Sequence, residues 1–205
     1  NSTKPAAGIT RLPNRRGRAA IIGAGICGMT AGLELFRKGY QVVIFDAGDQ
    51  PGGRLWSLGR DQLPAEIIRR ETALILESGL ETHFHVSIQA ETFPFQDYDA
   101  ILIATGQEHQ TDFGLNRTAA GFLEVDPVTL QTSQPGVFAG GGTIHSPSTI
   151  HSLSDGRRAA ISIDRFLQKV SLTASRVHEA SYETRLFTRL DGIRPQAAVV
   201  PAHSQ

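Results

Sequence analysis

Short apolar runs alternate with longer amphipathic segments along most of the chain. Arg18–Ile22 and Gln41–Phe45 are five-residue apolar runs, which is typical of buried strands. Between them, residues 29–38 carry apolar side chains at helical spacing. Asp99–Ala104 is a further strand-like run, and residues 148–170 have the length and spacing of a second helix. This alternation predicts an α/β fold built on a parallel sheet.

A glycine-rich turn joins the first predicted strand to the first predicted helix. Its six residues are, in order, Gly23, Ala24, Gly25, Ile26, Cys27 and Gly28. Gly23 lets the chain turn sharply, Gly25 lets the backbone approach a pyrophosphate, and Gly28 lets the helix pack closely on the sheet. The second strand ends on Asp46, which would accept hydrogen bonds from a ribose diol and repel a 2′-phosphate. The arrangement predicts a dinucleotide site, against the alternative of a purely structural turn.

Four later segments decide which dinucleotide is expected. They are Q-P-G-G-R at 50–54, A-T-G at 104–106, T-S-Q-P-G-V-F-A-G-G-G at 132–142 and D-G-R-R-A-A at 155–160. In this order they resemble the FAD-binding half of the pyridine-nucleotide-dependent flavoprotein oxidoreductases. Residues 63–81 are similar to one branch in particular, the small subunit of glutamate synthase and its relatives, including the flavin domain of dihydropyrimidine dehydrogenase. The resemblance covers residues 18–170 and implies a doubly wound, parallel-sheet FAD-binding Rossmann domain with a small accessory β segment.

The resemblance also implies how FAD would lie across the sheet. The ribose of the adenosine would meet Asp46, the pyrophosphate would meet the glycine turn, and the adenine would border the backbone of Ile88. The last helix would point its N-terminus at the flavin pyrimidine, where the positive end of the helix dipole stabilises negative charge. No catalytic residue and no metal ligand is assigned. The implied cofactor-binding residues are Gly23, Ala24, Gly25, Ile26, Cys27, Gly28, Asp46, Ala47, Gly53, Arg54, Leu55, Ile88, Ala104, Thr105, Gly106, Gly141, Gly142, Ser148 and Thr149.

Two positions depart from the family pattern. The family has an acidic residue in F-A-G-G-D, where this chain has Gly142. The family also has a G-I-P turn near the flavin ring, where this chain has W-S-L-G-R at 56–60. Both departures support an alternative in which FAD is inert or lost. His145, in the loop before the last helix, is the histidine expected near the flavin ring.

The second nucleotide-binding domain of the family is missing from this sequence. Members of the family carry it between the A-T-G strand and the T-x-x-P-G-V-F-A segment, where this chain has only Gln107–Gln131. These residues are too few for a βαβ unit, which needs about 30 or more. Phe122–Asp126 and Val128–Leu130 are interpreted instead as a short connecting hairpin. Direct hydride exchange with NAD(P)H at the usual site is therefore not expected.

The amino-acid composition narrows the possible ligands, redox centres and cellular location of the chain. The 205 residues include 20 Lys and Arg and 20 Asp and Glu, so no bulk charge favours nucleic acid. The single cysteine, Cys27, excludes an iron–sulfur cluster or a redox dithiol within the chain, and its place in the turn favours packing over reactivity. No apolar run approaches the roughly 20 residues of a membrane span. Because no secretory segment is visible either, we expect a cytoplasmic location without direct membrane insertion.

Three parts are predicted: an N-terminal arm at 1–17, the FAD-binding domain at 18–170 and a C-terminal docking tail at 171–205. The sparse apolar stripe of the tail could contact either the domain or a partner. The first functional hypothesis is an FAD-binding electron-transfer subunit of a multi-subunit oxidoreductase, whose partners carry iron–sulfur clusters or the substrate site. The alternatives are a structural or assembly subunit with inert or lost FAD, and a small stand-alone flavin oxidase.

Overall fold

Five short strands pair in parallel in the spatial order β3-β2-β1-β4-β5. The strands are β1 (Arg18–Ile22), β2 (Gln41–Phe45), β3 (Glu81–His83), β4 (Ala100–Ile103) and β5 (Val137–Ala139), and the helices are α1 (Ile26–Arg37), α2 (Ala65–Leu76) and α3 (Thr149–Leu167). The computed structural model describes residues 10–107, 112–146 and 148–176. The strand order reverses between β1 and β4, which makes a topological switch point. The predicted α/β fold with a parallel sheet is confirmed.

Helices α1 and α3 pack together over one face of the sheet. Ile21 from β1, Leu35 from α1 and Ile163 from α3 belong to this core, and each is fully buried. Gly32 allows α1 to lie close to the sheet, because an added Cβ there would lie 2.8 Å from Cδ1 of Ile44. Both helices follow strands of a parallel sheet, so their N-termini lie at the carboxyl edge of that sheet.

On the opposite face of the sheet, the described residues that cover the strands come mainly from irregular segments. Phe93 precedes β4, and Phe113 and Leu123 precede β5; all three are buried in a second core. Ile22 and Ile103 contribute the sheet side of this core, while their chain neighbours Ile21 and Leu102 face the first core. The alternation follows the two-residue period of a strand, and it explains why both faces of β1 and β4 are apolar.

The helix bounds differ from the sequence-based expectation at their ends. Helix α1 begins at Ile26 rather than at residue 29, because the last residues of the glycine turn already form its first turn, with Met29 N donating to Gly25 O at 2.9 Å. Helix α3 ends at Leu167, three residues early, because Lys169 takes a left-handed conformation with φ of 58°. Helix α2 was not predicted at all.

The hairpin expected between β4 and β5 is wrong. Asp126 instead organises a tight turn: its Oδ1 accepts from Thr129 N at 2.7 Å and Val128 N at 3.0 Å, and its own N donates to Gln131 O at 2.8 Å. The hydrogen bond from the Thr129 backbone, followed by the others, lowers the pKa of Asp126. Gln131 bridges to Phe138 in β5. Within 104–107 and 112–136 the structure forms no helix and no regular strand.

Asp164 ties α3 to the chain before β1 and to the end of α1. Its Oδ1 accepts from Tyr40 Oη at 2.6 Å and Arg15 Nη1 at 3.2 Å, and its Oδ2 lies 2.5 Å from Lys38 Nζ. Gln168 Nε2 donates to the same carboxylate at 2.7 Å. Burial alone would raise the pKa of Asp164, but the hydrogen bonds from Lys38, Tyr40 and Gln168 outweigh it and hold the pKa below its usual value.

We expect Asp164→Asn to lower the free energy of unfolding at pH 7 by about 2–3 kcal/mol, because two cations and a phenol lose a largely buried anion. A carboxyl group whose folded pKa is depressed stabilises the fold above its unfolded pKa of about 4 and loses that effect as the pH falls through the folded pKa. Urea unfolding at pH 7 and pH 3 should therefore show the difference shrinking in acid. Glu71→Gln, which removes an exposed partner of Arg70, is the control and should change little. Equal stabilities of the wild type and Asp164→Asn at pH 7 would contradict this role.

Candidate functional site

In the glycine turn after β1, Gly23 and Gly28 are required by the packing of the protein itself. Gly23 has φ of 112°, its N donates to Phe45 O at 2.7 Å, and an added Cβ would lie 2.3 Å from Ala104 O. An added Cβ on Gly28 would lie 1.9 Å from Gly23 O. Both clashes are with backbone, which cannot move aside. Gly23 and Gly28 are therefore required to form the turn, whether or not a ligand is bound.

Gly25 differs, because no protein atom lies within 4 Å of the Cβ that it lacks. It precedes α1 in an extended conformation and supplies no side-chain cap, and the first turn of α1 contains no acidic residue. The first N–H groups of a helix have no partner within it, and here they lie at the positive end of α1, next to the open space at Gly25. A pyrophosphate needs such a cradle, so the residues present fit this part of FAD.

The chain after β2 borders the same cradle. Gly52 N donates to Ala24 O at 2.9 Å, and Gly25 and Gly52 form a parallel bridge. An added Cβ on Gly53 would lie 3.1 Å from Gly25 Cα, and Gly53 itself has φ of 51°. The structure thus brings the predicted site residue Gly53 against the glycine turn, although the two are far apart in sequence.

Asp46 lies directly after β2, beside the same turn. Its Oδ2 accepts from Ala24 N at 2.5 Å, and its Oδ1 accepts from Gly48 N at 2.7 Å. A carboxylate has about four acceptor positions, so two backbone bonds leave capacity for a ribose diol. The contact with Ala24 fixes the acid next to the cradle, where the sequence placed it.

A second group of predicted residues meets at the carboxyl ends of β4 and β5. Gly106 N donates to Thr143 Oγ1 at 3.2 Å, and an added Cβ on Gly142 would lie 3.4 Å from Gly106 Cα. Gly106 has φ of 79° and no atom within 4 Å of the Cβ that it lacks. Ala104 meets the glycine turn through Gly23, so the group after β4 connects the turn to the loop after β5.

Further predicted residues belong to the chain after β2, to the second core and to the start of α3. Ala47 and Arg54 are exposed, and Arg54 and Leu55 belong to a short 3₁₀ helix at Gly53–Ser57. Ile88 is buried in the second core. Ser148 precedes α3, where its Oγ accepts from His151 N at 3.4 Å, and Thr149 is the first helical residue.

Sequence reasoning missed Asp155 as a functional candidate. This carboxylate is only 3% exposed, and its Oδ2 accepts from Gly141 N at 3.0 Å, so it fixes the loop after β5. One signal was present in the sequence. Asp155 shares the helical stripe of Ala159 and Ile163, four and eight residues later, and an acid on an apolar stripe is buried with a partner.

Cys27 packs in the first turn of α1 against the loop after β5. An added Cβ on Gly140 would lie 2.8 Å from its Sγ, and one on Gly141 would lie 3.1 Å from its Cβ. Burial, and to a lesser extent the negative charge of Asp155, raise the pKa of the Cys27 thiol. A buried neutral thiol is a poor nucleophile, which agrees with the interpretation of Cys27 as a packing residue.

We expect the Cys27 thiol of the folded chain to react with an aromatic disulfide reagent at least about a hundredfold more slowly than a free thiol at pH 8, because the thiolate is disfavoured and covered. Addition of urea should release one full equivalent, since Cys27 is the single cysteine of the chain. The measurement is the absorbance of the released reagent with time. Rapid stoichiometric reaction without urea would show that the thiol is accessible.

Two further findings concern the part of the chain that the structure describes. Its histidine, cysteine and acidic side chains nowhere gather in a group of three or more suited to a metal ion. None of its helices combines the length and the apolar character that crossing a membrane requires.

Comparison with known proteins identifies the family to which this chain belongs. The pattern for pyridine nucleotide-disulphide oxidoreductases matches residues 6–156. The small chain of glutamate synthase [NADPH] from Bacillus subtilis is 29% identical over 109 residues, which are 50% of this chain and 22% of that protein. The PreT homolog of Salmonella typhi, a subunit of NAD-dependent dihydropyrimidine dehydrogenase, is 32% identical over 109 residues, 51% of this chain and 26% of that protein.

Comparison with a solved structure shows a similar fold. Thioredoxin reductase of Lactococcus lactis aligns over 76% of this chain and 100% of that chain with a TM-score of 0.59 and 13% identity. The chain spans only about a quarter of the length of the two curated relatives described above. The family match nevertheless covers most of the chain and includes the glycine turn and Asp46. The chain therefore belongs to the pyridine nucleotide-disulphide oxidoreductase family, and its cofactor is FAD.

Proposed function

We propose that this chain is an FAD-binding electron-transfer subunit of a multi-subunit oxidoreductase. In this proposal its flavin exchanges electrons with redox centres on partner chains, such as iron–sulfur clusters, or with a partner's substrate site. The proposal includes a cytoplasmic location and the site residues named above.

One observation carries the proposal. The residues that we propose to hold FAD lie together: Gly25 borders open space, Asp46 Oδ2 accepts from Ala24 N, and Gly142 lies against Gly106. The described chain between β4 and β5, in contrast, has no helix and no regular strand from which a second nucleotide-binding unit could be built. A flavin held in such a chain needs an electron donor and an acceptor on other molecules.

The names of the relatives support the same proposal. The Bacillus protein is a small chain, and the Salmonella protein is named as a subunit. In each case a protein with a similar segment is named as part of a larger oxidoreductase. The single cysteine of this chain leaves any cluster to the partners.

In this proposal the cofactor and the protein have separate roles. Bound FAD would supply the redox chemistry, because it accepts electrons singly or in pairs. Gly25 and the first turn of α1 would hold the pyrophosphate, and Asp46 would orient the adenosine. The loop at 140–146 and the start of α3 would set the electrostatic environment at the flavin end.

A second candidate function is a structural or assembly subunit in which FAD is inert. Two observations favour it. Gly142 offers no carboxylate to the cofactor, and the segment after Gly53 is occupied by Trp56, whose Nε1 donates to Pro51 O at 2.8 Å. The guanidinium groups of Arg60 and Arg69 lie 5.5 and 5.6 Å from the centroid of the same indole. This candidate predicts that flavin, if present, is not reduced during turnover of the complex.

The test is to isolate the tagged full chain from its native cells without dissociating its partners. We expect FAD to be present in amounts comparable with the chain, and iron with labile sulfide on the co-purified proteins. Addition of the substrate of the complex without oxygen should bleach the flavin bands. A complex with an intact activity and a flavin that never bleaches would favour the structural alternative. A monomer that turns over a substrate with oxygen alone would contradict both.

A further inference from the structure

The single tryptophan of the chain lies in the segment that departs from the family pattern. Trp56 belongs to the short 3₁₀ helix at Gly53–Ser57, whose first residue borders the cradle. Trp56 is half-buried, and its Nε1 donates to Pro51 O at 2.8 Å. This bond closes the chain from residue 51 to residue 56 into a loop. No part of the proposed electron-transfer role depends on this segment.

The indole of Trp56 occupies the space beside Gly52. An added Cβ on Gly52 would lie 2.9 Å from Trp56 Nε1 and 3.3 Å from Cγ2 of Ile68, a buried residue of α2. Gly52 also has φ of 116°, a conformation that favours glycine. The backbone at Gly52 therefore packs closely against both the indole and α2.

The same loop also contacts the glycine turn. Gly52 N donates to Ala24 O at 2.9 Å, and Gly25 and Gly52 form a parallel bridge. An added Cβ on Gly53 would lie 3.1 Å from Gly25 Cα. Direct contacts thus connect the indole, through Gly52, to Gly25 at the open space of the cradle.

Two arginines lie against the indole. The guanidinium carbons of Arg60 and Arg69 lie 5.5 and 5.6 Å from its centroid, and Arg60 Nη2 donates to Trp56 O at 3.3 Å. Both arginines are exposed, so their cation–π contacts are weak. The contacts that connect the indole to the cradle are its bond to Pro51 and its packing on Gly52.

We propose that Trp56 is a positioning residue that holds Gly52 and Gly53 against the glycine turn and thereby strengthens FAD binding. Because contacts within the protein hold the loop, FAD does not have to order it, and less of the binding free energy is lost. The inference rests on the FAD site of the proposed function but not on the electron-transfer role. The W-S-L-G-R segment then supports the cofactor site, although it departs from the family's G-I-P turn.

The experiment measures the dissociation constants of FAD and of ADP for the apoprotein of the full chain, by calorimetric titration. ADP carries the adenosine and two phosphates but no flavin, so it probes the cradle alone. We expect Trp56→Phe, which keeps an aromatic ring but removes the donor to Pro51, to weaken both ligands by the same factor of about five to ten. Trp56→Leu, which also removes the aromatic ring, should weaken both further.

Ser57→Ala is the matched control within the same 3₁₀ helix. Its Oγ donates to Arg54 O at 2.8 Å, so the substitution removes a side-chain bond to the backbone but leaves the bond to Pro51 in place. Both dissociation constants should stay unchanged. Urea unfolding gives the folded fraction of each variant, and Trp56→Phe alone decides the test if Trp56→Leu does not fold.

Wild-type dissociation constants in the Trp56 variants would overturn the inference while leaving the FAD site intact. A loss confined to FAD would also overturn it, because the indole would then contact the flavin instead of positioning the cradle. A loss of affinity no larger than the loss of folded chain would show a purely structural role and overturn it as well. A wild-type chain that binds neither FAD nor ADP would overturn the site itself.

Discussion

Replacing Gly25 with valine should leave the chain folded and remove its FAD. No protein atom lies within 4 Å of the Cβ position, and the backbone there is extended with φ of −75°, which valine adopts without strain. The side chain would fill the space that a pyrophosphate needs beside the first turn of α1. We expect flavin content to fall below the detection limit of absorbance at about 450 nm while far-UV circular dichroism is unchanged.

Gly28→Ala is the matched change within the same turn, and it should act in the opposite way. Its Cβ would lie 1.9 Å from Gly23 O, so the turn would have to open. We expect a loss of several kcal/mol of folding stability, comparable with the largest effects of single substitutions. A folded Gly25→Val chain with full FAD occupancy would show that the cofactor does not lie in this cradle.

Asp46→Ala should weaken FAD binding by roughly 1.5–3 kcal/mol, the cost of losing hydrogen bonds to a charged acceptor. This corresponds to an increase of the dissociation constant by about ten- to a hundredfold. Fluorescence titration of the apoprotein with FAD measures it directly. Asp49→Ala removes an exposed acid three residues later and is the control for bulk charge.

The alternative role of Asp46 is to hold the loop after β2 in place. Its contacts with Ala24 N and Gly48 N would be sufficient for that purpose. An unchanged dissociation constant, together with a loss of folding stability, would establish this role and contradict the ribose contact.

The parts of the site that could be predicted from the sequence are those with a local geometric cause. The packing roles of Gly23 and Gly28 could be predicted because a strand followed by a tight turn and a helix leaves no room for a side chain at those positions. Strands β1 and β2 were predicted with the bounds that the structure shows, because each is a continuous apolar run between polar breaks.

Two parts were missed for different reasons, one a local side-chain bond and the other a contact between separate segments. The segment from Phe122 to Leu130 reads as a hairpin, but the hydrogen bonds of the Asp126 carboxylate to the backbone at 128 and 129 make a turn instead. Asp155 was not singled out within D-G-R-R, and the packing of α3 on the loop after β5 shows that it is buried and accepts from Gly141 N.

The way in which the flavin of this chain is reduced distinguishes electron transfer from other subunits from direct reduction by a nicotinamide nucleotide. Anaerobic stopped-flow mixing of the FAD-loaded full chain with NADH or NADPH, followed at about 450 nm, measures this. We expect no bleaching within seconds with either nucleotide and complete bleaching with dithionite, because the described chain between β4 and β5 builds no second nucleotide-binding unit. Rapid bleaching by NADH or NADPH in the absence of partner proteins would contradict the proposal that the flavin receives its electrons from other subunits.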